Sequence, residues 1–143
     1  MCSRTFSIIF ALGFLAAGFM GAFHISVGPY DGPALTLATG EGNLLGMFHV
    51  NLFHTVINFL FGAMGVAACV KGADFSRFYA KLVGIVFVVL AVLGAIPVTV
   101  IQTVFGLFPI EGNDIWLHTG MGVIACFVGF EERQSKTQAA CSA

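Results

Sequence analysis

Apolar residues run almost unbroken through four stretches of the chain, about 6–23, 51–70, 82–101 and 114–130, and polar and turn-forming residues gather between them. Each stretch approaches the ~20 residues an α-helix needs to cross ~30 Å of hydrocarbon. The pattern predicts an all-α fold: a four-transmembrane-helix bundle in a single membrane domain over 1–130, then a polar tail over 131–143 whose composition suits a disordered end. The first stretch, following Arg4, also suits a signal peptide, but the run from Phe6 to Phe23 is long for one and no small-residue cleavage site follows. It is read as a helix. Asn43 or Asn51 can cap the second helix, and Asn51 leaves about 20 residues for the span.

The six Lys and Arg residues, Arg4, Lys71, Arg77, Lys81, Arg133 and Lys136, all fall at the N-terminus, in the connection after the second stretch, or at the C-terminus. Connections 24–43 and 102–113 carry only acidic charge. Cytoplasmic loops concentrate Lys and Arg, so both termini and the middle connection are expected in the cytoplasm. Tyr30 and Trp116 then lie near the outer interface and Tyr79 near the inner one, as interfacial aromatics prefer.

The second and fourth stretches echo one another. Shifted by 60 positions, Gly46, Phe48, Val50, His54, Asn58 and Gly62 fall on Gly106, Phe108, Ile110, Asp114, His118 and Gly122. Two repeated helical hairpins are expected, related by an axis along the membrane normal. In the first helix Gly13, Ala17 and Gly21 recur every four positions, which offers a groove for close helix approach.

Composition agrees with a membrane solvent and narrows the chemistry. Hydrophobic residues make up 58% of the chain and charged residues 9%, and the mean hydropathy is +0.96, far from the roughly one-quarter charged residues of soluble domains. The net charge of -1 and the lack of a basic patch exclude a nucleic-acid surface. The four cysteines show no zinc-type spacing, and there is neither a nucleophile elbow nor a Gly-rich phosphate loop.

The segments GMFHVNLFH and FGLFPIEGNDIWLH resemble the motifs of a bacterial family of four-helix integral membrane proteins of unknown function, domain of unknown function 4383. Gly46, Phe48, Val50, Asn51 and His54 match its first motif; Phe105, Gly106, Leu107, Pro109, Asp114, Trp116, Leu117 and His118 match its second. Two positions depart: His49 stands at a usual proline, and Asn58 where a second histidine is common. The resemblance covers about residues 4–130. It implies a multi-pass protein of the bacterial inner membrane, or of the thylakoid in a cyanobacterium, and brings no substrate or reaction with it.

Candidate chemistry lies in two polar stripes, Asn51, His54, Asn58 and Glu111, Asp114, His118, each spaced i, i+3, i+7 on one helix face. Asn51, Asn58, Glu111 and Asp114 are expected in a structural polar network, with Asn51 and Asp114 as helix caps. His54 and His118, from different helices, are the candidate cofactor ligands, for a haem or chlorophyll-type tetrapyrrole. A further alternative is a metal or proton site of His54, Glu111, Asp114 and His118 in an oligomeric transporter. No enzymatic activity is expected. The leading expectation is an accessory or structural subunit, contacting membrane lipid and other membrane proteins or copies of itself, with no cofactor of its own.

Overall fold

The computed structural model describes residues 2–110 and 112–131, so Glu111 and the tail over 132–143, including Arg133 and Lys136, lie outside the described residues. The helices are α1 (Ser3–Ala22), α2 (Leu52–Lys71), α3 (Ala73–Ala95), a one-turn α4 (Thr99–Gln102) and α5 (Asn113–Phe130). α1 lies along α2, and α3 along α5, so the chain forms two helical hairpins joined through α2–α3 and α1–α3 contacts. Among the described residues three helices, α1, α2 and α3, are long and apolar enough to cross a membrane.

The burial pattern of α2 inverts that of a soluble protein. Its buried positions are Thr55, Asn58, Gly62, Gly65 and Ala68, whereas Leu52, Val56, Leu60, Met64 and Val70 face outward. α5 does the same, burying Asp114, His118, Gly122, Ala125, Val128 and Gly129 and exposing Trp116, Val123, Ile124 and Phe127. In lipid, large apolar side chains gain nothing by hiding, whereas small residues let helix backbones approach. A Cβ on Gly84 of α3 would lie 2.6 Å from Sγ and 2.7 Å from the backbone N of Cys126 on α5. Between the hairpins, Phe6, Phe14, Tyr79, Val83 and Phe87 form the centre of the core, and the Tyr79 hydroxyl donates to the Phe61 carbonyl across 3.1 Å.

One end of the bundle collects the described cations. Ser3 Oγ donates to Ala73 O (3.2 Å), Arg4 Nε to Cys69 O (3.2 Å) and Arg77 Nη2 to Glu131 O (3.2 Å). Lys71 and Lys81 lie over the Phe75 and Phe130 rings.

Three sequence expectations are corrected. The third helix begins at Ala73 rather than 82, because Gly72 alone, at φ 111°, reverses the chain, and Arg77 and Lys81 ride on helical turns instead of a loop. It ends at Ala95 rather than 101: Pro97 disfavours helical backbone at Ile96, which is extended. The fold is mostly helical but not all-α. β1 (Val27–Gly28), β2 (Gly42–Leu44) and β3 (Phe48–Val50) form an antiparallel sheet in the order β1-β2-β3 at the end away from the cations. Leu45 and Gly46 turn the β2–β3 hairpin at positive φ, and Gly42 passes so close to Val27 and the Gly28 carbonyl that no side chain fits. Short strands broken by glycine carry too little alternation to be read from sequence.

Candidate functional site

Asn51 is fully buried and caps α2: its Oδ1 accepts from the backbone N–H of His54 (2.9 Å). Its amide nitrogen donates to Leu37 O (2.9 Å) and Leu107 O (2.6 Å). One side chain thus joins the head of α2 to both long connections. The capping role was legible in the sequence; the tie to Leu37 and Leu107 was not, since nothing local marks which carbonyls come near.

Asp114 does not occupy the cap position. Gly112 does, and Asp114, in the first turn and nearly fully buried, accepts from the backbone N–H of His49 on β3 (3.2 Å). The His49 ring stands between two carboxylates, with Nδ1 3.7 Å from Asp114 Oδ2 and Nε2 3.5 Å from Asp31 Oδ1. Asn43, paired with His49 across β2–β3, donates to Asp31 Oδ1 (2.6 Å) and Pro29 O (2.8 Å). The Asn43 amide, and after it His49, hold the exposed Asp31 carboxyl below its ordinary value. Sequence reasoning missed this cluster because Asp31, Asn43 and His49 come together only through the sheet register. It borders an open cleft of about 340 Å³.

A second cavity, of about 320 Å³, lies between the hairpins and is lined by apolar side chains of α1, α2, α3 and the 104–108 segment. Three of the residues facing it are polar: His54, Asn58 and His118. Of the two stripes, these three residues line the cavity; Asp114 is turned to His49 and does not line it. Among the described residues no three His, Cys, Asp or Glu side chains are grouped to hold a metal ion. The set of His54, Asp114 and His118 is therefore not gathered, and Glu111 lies outside the described residues. His24 is exposed at the end of α1 and takes no part.

The histidine tautomers follow from their partners. His54 Nδ1 lies 3.1 Å from His49 O, and His118 Nδ1 2.7 Å from Asp114 O. A carbonyl oxygen only accepts, so each Nδ1 carries the proton, and in the neutral ring each Nε2 is a bare acceptor. The His118 ring packs at 4.9 Å on Phe87, and the His54 ring at 5.5 Å on Phe108. Among the described residues, Asn58, at 7% exposure, has no side-chain hydrogen-bond partner, and neither Nε2 has one. Buried polar groups are ordinarily paired. Here Asn58, His118 and the half-buried His54 line one apolar space, the arrangement of a site that recognises a small molecule by a few placed polar groups.

The chain belongs to the family described as Domain of unknown function (DUF4383), whose model matches residues 4–131. No curated protein and no solved structure matches the chain.

Proposed function

We propose that this chain is a non-enzymatic membrane protein of four spans, both termini cytoplasmic, whose two hairpins hold a small lipid-soluble molecule between them. The observation that carries this reading is the trio of polar side chains, His54, Asn58 and His118, in an otherwise apolar cavity. The inverted burial of α5 supports its counting as the fourth span, although Asn113, Asp114 and His118 lower its hydropathy. The cations gathered at one end support cytoplasmic termini in a bacterial membrane. Matched burial supports a repeated hairpin: Asn58, Gly62, Gly65 and Ala68 are buried in α2, and the positions 60 further on, His118, Gly122, Ala125 and Val128, in α5.

A tetrapyrrole would bind through the same Nε2 atoms, but a cavity of about 320 Å³ is near the lower limit of the roughly 300–1,000 Å³ usual for ligand pockets, which favours a single-ring head. The test is solvent extraction of the purified full chain followed by mass spectrometry and an absorption spectrum. One apolar molecule is expected to be enriched over bulk lipid and lost on Asn58→Leu with His118→Phe. An extract identical to bulk lipid for both proteins sinks the reading, and a Soret-type band replaces it with the tetrapyrrole.

A role as an accessory subunit of a larger membrane assembly is the second reading. Gly13 on α1 and Gly120 on α5 have open space over them, where a helix of another subunit can approach closely. Stoichiometric partners after mild-detergent purification from the native host are expected; migration as a lone monomer counts against this role.

A further inference from the structure

We infer that the cavity between the hairpins is a site for a lipid-soluble hydroquinone, a quinol, bound in preference to its oxidised quinone. The inference rests on the ligand-cavity reading above and names the chemistry the cavity selects. Its two imidazoles reach it from opposite hairpins, His54 from α2 and His118 from α5. Each spends its only N–H on a backbone carbonyl, His49 O for one and Asp114 O for the other. What the protein offers at two separate points is therefore a lone pair, and the complement is a ligand with two separate donors. Asn58, buried and unpartnered, supplies an amide that both donates and accepts, so it can serve the oxygen of either hydroxyl.

Between these polar points the walls are rings. Phe14, Phe53, Phe61, Phe87 and Phe108 line the cavity, and such quadrupolar faces and edges pack well on a flat aromatic head. The volume of about 320 Å³ suits one substituted ring. Ile57, Val86 and Leu90 on the lining are half-buried, so the cavity reaches the apolar outer face of the bundle and a hydrocarbon tail can leave along it. An aromatic ring with two hydroxyls and an apolar tail meets all of these requirements. A quinone keeps the ring and tail, but its two oxygens only accept; facing two bare nitrogens, it leaves both unpaired.

The test compares three probes on the full chain in detergent: a decyl-tailed hydroquinone, its dimethyl ether, and the corresponding quinone. Binding is read by titration of the thermal midpoint. The hydroquinone is expected to bind at least about tenfold more tightly than either relative, the weight of roughly one buried hydrogen bond. His118→Phe is expected to abolish that preference while leaving the ether's affinity within about threefold. Where that variant does not fold, the wild-type comparison of hydroquinone with ether decides alone. Equal affinities for all three overturn the quinol assignment and leave a less selective ligand cavity. No midpoint shift with any probe, together with an extract identical to bulk lipid, overturns the cavity reading itself. Copper or iron bound stoichiometrically and lost with His54→Ala or His118→Ala overturns the quinol in favour of a metal on the same nitrogens.

Discussion

Replacing Asn51 separates two roles that one side chain combines. Capping alone is worth about 1 kcal/mol. The amide nitrogen also satisfies the carbonyls of Leu37 and Leu107 at 2.9 and 2.6 Å, and a buried acceptor left without its donor costs about 1–3 kcal/mol. Asn51→Ala loses all three bonds and is expected to destabilise the bundle by about 3–5 kcal/mol, with some relief where water reaches the freed carbonyls. Asn51→Asp is the discriminating variant. Its carboxylate still accepts from the His54 N–H and suits the helix N-terminus, but it has no donor and faces two carbonyl oxygens. Were capping the main role, Asp would be close to neutral; with the tie dominant, Asp is at least as damaging as Ala. Reversible unfolding of the detergent-solubilised chain, followed by circular dichroism, measures both. An Asn51→Asp protein within about 1 kcal/mol of the wild type would refute the reasoning.

Three further outcomes follow. Gly84→Ala drives a methyl into the Cys126 backbone and sulfur and is expected to lower stability by about 1–3 kcal/mol, whereas Gly13→Ala, with nothing within 4 Å, leaves it unchanged in the same unfolding assay; equal effects would contradict the close approach of α3 and α5. Tyr79→Phe, which deletes the donor to Phe61 O, is expected to lose about 1 kcal/mol in that assay. The Asp31 carboxyl is held below its ordinary value of 3.8, so its contribution is fully present above that value and is lost as pH falls through its lowered one. Amide protection factors over β2–β3, corrected for the intrinsic exchange rate at each pH, should therefore fall as the pH drops below 3.8 in the wild type, while Asp31→Asn shows the lower protection already at neutral pH; a wild type matching the variant at neutral pH would show that Asp31 does not hold the sheet.

The apolar runs announced α1, α2 and α3 because a span long enough to cross lipid leaves an unmistakable length of hydropathy. Their ends were less legible. Gly72 reverses the chain in a single residue, so the charged segment that looked like a loop is the first two turns of α3, and the extended Ile96 before Pro97 stops that helix early. The i, i+4 spacing of His54 and Asn58 puts both on one face of α2, and the packing of the hairpins, which the sequence does not show, brings His118 of α5 to the same cavity. The spacing could not tell that Asp114 would turn toward His49, since that contact depends on β3 and its register with β2. The sheet cluster of Asp31, Asn43 and His49 is a product of pairing at long sequence separation, for which a short Gly-broken strand offers little local signal.

The connection through Gly72 also sets what the bundle can do mechanically. With a single residue between α2 and α3, and with Ser3 of α1 bonded to Ala73 of α3, the two hairpins are tied together at the cation-bearing end. A relative movement of the hairpins would therefore be a rotation about that end. The widest excursion then falls at the opposite tips, which flank the cavity. Asn51, joined there to Leu37 and Leu107, ties those tips together beside the bonds from Thr36 and Leu37 N–H to Gly106 O and from His49 N–H to Asp114, so any such rotation would have to break several bonds at once.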